Sequence, residues 1–133
     1  MKEPAWIEKS DCLAFHSSLI TRFGGADGIR DEGRLDAAMS KPLQLFHYKE
    51  ATIYELAAAY ASGIVKGHPF LDGNKRSGLM AAALFLEING YRFQASEEEA
   101  ALQILALADL RLSDAELTDW LEKSSQRKQP VKT

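Results

Sequence analysis

The chain has 133 residues, 46% of them hydrophobic, with a formal net charge of −3. That is one domain's worth of sequence with enough apolar residues for a core, which excludes a disordered chain. The acidic balance excludes a protein that binds nucleic acid over its whole surface, and the lone Cys12 excludes an intramolecular disulfide or a cysteine-based zinc site.

In chain order, Met1-Lys2-Glu3-Pro4 is polar and has no signal-peptide core, and no run reaches the roughly 18 apolar residues of a membrane span. The expected location is the cytoplasm. Ser10 reads as an N-cap. Cys12, Leu13, Phe15, Ile20 and Phe23 form a helical stripe to about Arg22, where Gly24-Gly25 stops it. Cys12 is expected to pack as a small apolar residue and His16 to be a surface or half-buried residue. Gly24 to Asp31 is a loop, and Glu32 to Ser40 a short helix that Pro42 ends. Residues 43–51 read as an extended, mobile segment or a connector anchored by Phe46.

Thr52 to Lys66 repeats Ile53, Leu56, Ala57, Tyr60, Ala61 and Ile64 at helical spacing, and Gly67 closes it. A second helix, about 74–89, is apolar on nearly every side from Leu79 to Ile88, the pattern of a buried helix. Tyr91-Arg92-Phe93 is a short extended piece. Ser96-Glu97-Glu98-Glu99 and Ser113-Asp114-Ala115-Glu116 are capping boxes that open helices of about Glu97–Asp109 and Asp114–Lys123. The first is expected to bury Ala100, Leu102, Ile104, Leu105 and Leu107, the second Leu117, Trp120 and Leu121. Residues 124–133 are polar and basic, and the composition predicts a disordered tail. The fold class is therefore all-α: one domain over 1–123, packed around helices at about 52–66 and 74–89.

Between those two helices lies the densest chemistry of the chain, Gly67-His68-Pro69-Phe70-Leu71-Asp72-Gly73-Asn74-Lys75-Arg76-Ser77-Gly78. The start of a helix offers free N–H groups and about half a positive charge, so Lys75 and Arg76 stand on the wrong side by roughly 0.3–1 kcal/mol each. An anion on that helix end reverses the sign. Free N–H groups, a glycine and two cations make a phosphate site. Asp72 would repel the phosphate unless a divalent cation lay between them, and Mg²⁺ is held in this way by one or two carboxylates plus phosphate oxygens. His68 is then free to act as a general base. Each residue has a plainer use as well: Asp72 or Asn74 as a helix cap, His68 as a loop residue, Lys75-Arg76 as a solvated face. Charge is uneven along the chain. Residues 97–122 hold eight acidic side chains against the single Arg111, and residues 66–76 hold Lys66, Lys75 and Arg76 against Asp72. A local positive site on an acidic protein suits a small anion better than a DNA backbone.

His68-Pro69-Phe70-Leu71-Asp72-Gly73-Asn74-Lys75-Arg76 resembles the signature of the Fic/Doc family in its Doc form, His-x-Phe-x-Asp/Asn-Ala/Gly-Asn-Lys-Arg. Phe23 to Asp31 and Leu84 to Tyr91 are similar to Doc proteins too, so the likeness spans nearly the whole chain. The resemblance implies an all-α Fic/Doc domain with a flap at about 43–51 that guides the target. It also implies a toxin kinase that moves the γ-phosphoryl group of ATP to a threonine of elongation factor Tu. A cognate antitoxin would neutralise it, its disordered tail folding into a groove. Carried over residue by residue, His68 accepts the proton of the target hydroxyl and Asp72 holds Mg²⁺. Gly73, Asn74 and the following N–H groups cradle the anion, and Lys75 and Arg76 neutralise phosphate oxygens. The alternative is adenylyl transfer. Adenylylating members carry Gly-Asn-Gly-Arg and a second Arg three residues on, where this chain has Lys75 and Leu79; Gly73 fits either form. A third reading is a protein that acts chiefly by binding its antitoxin. No DNA-reading motif is present.

Overall fold

The computed structural model describes residues 2–129. Its elements are α1 (Lys9–Phe23), α2 (Glu32–Tyr48), α3 (Ile53–Gly67), α4 (Asn74–Ile88), β1 (Tyr91–Phe93), α5 (Glu97–Ala108), α6 (Asp114–Lys123) and β2 (Ser125–Arg127). The architecture is all-α with one two-stranded ribbon. The strand β1 pairs antiparallel with β2, Tyr91 opposite Arg127 and Phe93 opposite Ser125. The disorder expected from Ser124 onward therefore does not hold for Ser125–Arg127, because β1 supplies their backbone partners. The last part of that predicted tail, residues 130–133, lies outside the described residues.

The helix α3 is the axis. Thr52 caps it, accepting from the Glu55 N–H while the Glu55 carboxylate reaches back to the Thr52 N–H. Its small residues Ala57, Ala58 and Ala61 are buried, so α2, α4 and α6 all pack closely on it. At Gly78, near the start of α4, an added Cβ would lie 2.5 Å from Val65 Cγ2 and 3.0 Å from the Ala61 carbonyl oxygen. The α3–α4 crossing is close there, just past the signature residues, and this holds the first turns of α4. Tyr60 is fully buried, with its hydroxyl donating to the Ile7 carbonyl at 3.1 Å, and burial pushes its phenol up to about 12. Cys12 packs in the core as expected; burial pushes its thiol up to about 12, which makes it inert.

Several boundaries differ from expectation. The helix α1 starts two residues earlier than a Ser10 cap allows, with Glu8 at the cap and its N–H bonded to the Asp11 carboxylate at 2.9 Å. The helix α2 runs through Pro42 to Tyr48, so residues 43–48 are its last turns and no extended flap exists there. Leu35, Ala38, Met39 and Pro42 are buried and Leu45 and Phe46 half-buried, a continuous helical stripe that packing on α3 rewards over the local cost of proline. On α5, Ala100, Ile104 and Leu107 are buried, but Leu102 and Leu105 are exposed. Glu99 does not close the expected box at Ser96; its carboxylate accepts from Trp120 Nε1 of α6 at 2.5 Å. The helix α4 is not enclosed on all sides either, since Met80 and Ile88 reach the surface. No described helix is long and apolar enough to cross a membrane.

Candidate active site

Residues 68–73 join α3 to α4, and three segments hold them. His68 ends α3 in the left-handed region (φ 49°, ψ 53°), an unusual place for a side chain other than glycine. Such a conformation costs on the order of 1–3 kcal/mol and persists only where the surroundings fix it. Here they do. The His68 N–H donates to the Ile64 carbonyl at 3.1 Å, and Arg30 Nε donates to the His68 carbonyl at 2.9 Å. Arg34 donates to the Gly67 carbonyl at 3.0 Å, and the N–H groups of Arg30 and Asp31 both reach the Pro69 carbonyl, at 2.7 and 3.1 Å. Two cations thus cover the negative end of α3. The His68 imidazole is left on the surface.

Phe70 is buried, and Asn74 clasps its main chain at both ends: Asn74 Oδ1 accepts from the Phe70 N–H and Nδ2 donates to the Phe70 carbonyl, each at 3.0 Å. The Asn74 side chain is therefore a staple of the loop, and only its N–H remains for an anion. Asp72 is exposed, with carboxylate Oδ2 accepting from the Ala26 N–H at 2.7 Å and no cap bond to the following helix. The plainer reading of Asp72 or Asn74 as an N-cap fails, because the cap position belongs to Gly73 at φ 78°. Glycine is required there twice over: the backbone is left-handed, and a Cβ would lie 3.1 Å from Ile20 Cδ1.

The start of α4 is bare. No side chain caps it, no acid stands in its first turn, and the first helical bond is Ser77 N–H to Gly73 carbonyl. The N–H groups of Asn74, Lys75 and Arg76 precede that bond. Lys75 and Arg76 are exposed and form no ion pair among the described residues, while the Arg76 guanidinium rests 4.5 Å from the centre of the exposed Phe23 ring. The structure thus gathers the six predicted residues at the junction of α3 and α4, with His68, Asp72, Lys75 and Arg76 on its open surface and Asn74 buried beneath.

Reading the sequence missed His16. It is 2% exposed and stacks on Phe70 with ring centres 3.6 Å apart. The expectation of a surface or half-buried position fails because Cys12, His16 and Ile20 share one face of α1 at four-residue spacing, and that spacing was the available signal. Arg30 and Arg34 were missed as well.

A helical domain with a histidine, a carboxylate and an uncapped cationic helix start on one short link is the Fic/Doc arrangement, and residues 6–86 match the model of the family described as Fic/DOC. The chain belongs to that family. It is 35% identical over 118 residues to "Protein kinase doc" of Escherichia phage P1, covering 88% of this chain and 93% of that protein. It is also 35% identical over 92 residues to "Toxin Doc" of Mycolicibacterium smegmatis, covering 68% of each.

Proposed function

We propose that the protein is a Doc-type toxin that transfers the γ-phosphoryl group of ATP to a serine or threonine hydroxyl of a protein target, with elongation factor Tu as the target the resemblance implies. The observation that carries the reading is the bare, cationic start of α4 beside His68. The name "Protein kinase doc" of a relative covered over 93% of its length supports the same chemistry.

His68 takes the proton of the attacking hydroxyl, whose oxygen bonds to the γ-phosphorus as the bond to the β–γ bridging oxygen breaks and ADP leaves. Its neighbours' main-chain bonds keep its exposed ring from withdrawing into the loop. The N–H groups of residues 74–76, with Lys75 and Arg76, meet the phosphate oxygens and oppose the charge that spreads over them in the transition state. Phosphoryl transfer is mostly positioning and charge stabilisation, so this short link is sufficient machinery.

Mg²⁺ fits in a restricted sense. No cluster of three metal-binding side chains exists among the described residues, and Asp72 commits only one carboxylate oxygen, to Ala26. A single carboxylate holds Mg²⁺ only when phosphate oxygens and water complete the shell, so the ion would arrive with ATP and neutralise its phosphates when bound. The open surface around His68 suits a macromolecular substrate. A cognate antitoxin would restrain the toxin, and contact with DNA would belong to that partner. Gly73 adds no weight to adenylyl transfer, since its backbone and its contact with Ile20 already require glycine.

Mass spectrometry of cell lysate treated with the protein and Mg-ATP tests this. The expected product is a protein heavier by one phosphate at serine or threonine. Addition of AMP would replace the reading with adenylyl transfer, and no modification would leave binding as the activity.

A further inference from the structure

Three segments meet beneath the signature loop, and among the described residues the buried side chain that bonds this loop is His16 of α1. Its Nε2 lies 2.8 Å from the Asp72 carbonyl oxygen. A carbonyl only accepts, so Nε2 must carry the proton and donate. Its Nδ1 faces Asp27, 3.7 Å away, too far for a hydrogen bond, and the Asp27 carboxylate accepts from Ser17 at 3.0 Å. The ring lies flat on Phe70, with an angle of 8° between planes, so the direction of its N–H is fixed by stacking. Gly73 lies against the same Nε2 edge: a Cβ there would sit 3.5 Å from His16 Nε2.

Asp72 is therefore held from two directions. His16 fixes its main chain from below, and the Ala26 N–H fixes one carboxylate oxygen from the side. The side clamp is itself close, as a Cβ on Gly25 would lie 3.1 Å from Asp72 Cβ. What this leaves free is the second carboxylate oxygen. An exposed aspartate in an ordinary loop would sample several rotamers, and one tied at carbonyl and carboxylate does not.

We propose that His16 is a positioning residue for the site: through its bond to the Asp72 carbonyl it aims the Asp72 carboxylate at the cation that accompanies ATP. This rests on the functional reading given to Asp72. Residues that orient a metal-binding side chain typically account for about 10–100-fold in metal affinity.

Two variants separate aim from packing. His16→Gln keeps an N–H donor at comparable reach; His16→Met keeps approximate volume and has no donor. ATP binding to the full chain is measured by calorimetry across a range of MgCl₂ concentrations, without a protein target, beside thermal unfolding and the amide ¹⁵N shift of Gly73, which responds to hydrogen bonding at the preceding carbonyl. Asp72→Ala serves as the reference. The expected result is that His16→Met raises the Mg²⁺ concentration for half-maximal ATP binding by about tenfold or more and moves the Gly73 resonance. His16→Gln should restore most of both. If Met fails to fold, Gln against wild type still decides: a Gln variant that folds but needs as much Mg²⁺ as Asp72→Ala overturns the donor's role. Asp72→Ala losing its Mg²⁺ dependence while His16→Met binds like wild type would make His16 mere core. Asp72→Ala binding Mg-ATP like wild type would remove the metal role of Asp72, and the proposal with it.

Discussion

Two helices start against α3 and start in opposite ways. At α6, Ser113 accepts from the Glu116 N–H at 3.1 Å, Glu116 answers the Ser113 N–H at 3.0 Å, and Asp114 adds a negative charge. Asp114 then reaches across to α3, accepting from Ser62 at 2.8 Å and pairing with Lys66 at 3.1 Å. The cap is reciprocal and the dipole is complemented. At α4 the cap is a left-handed glycine, the first turn has no acid, and two cations stand where carboxylates belong. One start is optimised for stability and the other is left unbalanced. An unbalanced helix end kept in place by Asn74, Arg30, Arg34 and His16 is what the proposed function requires for an external anion, and on that proposal the contrast separates scaffold from machinery within a few turns of the same helix.

The sharpest way to break this contrast is at His68. His68→Ala should lower transfer by about 10²–10⁴-fold and abolish toxicity. Its melting temperature should stay near wild type, since the ring is exposed and no core contact is lost. Label transfer from γ-labelled ATP and thermal unfolding check both halves; transfer at the wild-type rate would reduce the α4 start to an ordinary, poorly capped helix.

Lys75 sharpens the comparison further. Lys75→Gly should cut γ-phosphoryl transfer by about 10–100-fold, the value of one charge-assisted contact, without raising unfolding sensitivity. It should not create adenylylation, because Leu79 is packed against the core where a second arginine would be needed. ATP labelled separately at the α- and γ-phosphates decides. Protein labelled from the α-phosphate by wild type would overturn the kinase assignment.

The smallest effect belongs to the other start. Burial pushes the Asp114 carboxyl up, but hydrogen bonds from Ser62 and Lys66 and the charges of Lys41 and Lys66 outweigh it, and the group sits below its ordinary 3.8. A depressed carboxyl stabilises above its unfolded value and loses that contribution as pH falls through the lower folded one. Asp114→Asn should therefore cost about 0.5–1 kcal/mol at pH 7, discounted because the side chain is half exposed. The difference from wild type should close as pH drops below about 3.8, with transfer unchanged. Denaturant titrations at pH 7 and near pH 3 measure it.

What could be read in advance follows from how local the causes are. The starts of α3, α5 and α6 rest on residues three apart in sequence, and the site on twelve contiguous ones, so both were legible. Pro42 was misread because its cost is local and its compensation distant: Ala38 has no Pro42 N–H to accept from, and α3 comes so close there that a Cβ on Gly63 would lie 3.3 Å from the Ala38 carbonyl oxygen. Arg30 and Arg34 bond main-chain carbonyls more than thirty residues away, which no spacing announces. The tail was misread for the same reason, since the partner of Ser125–Arg127 is a strand over thirty residues earlier.

Both ends of the described chain are moored at the far pole of α4. Asn89 exchanges hydrogen bonds with the Ala5 N–H and carbonyl at 2.8 and 2.9 Å, and Lys128 bonds the Gly90 carbonyl at 2.8 Å and pairs with Glu87 at 2.8 Å. Fifteen residues of helix separate that pole from Gly73, about 22 Å along the axis. A fluorescent reporter or immobilisation handle spliced before residue 5 or after residue 128 therefore emerges on the side away from His68, and the molecule can be tethered to a surface with its reactive face turned outward.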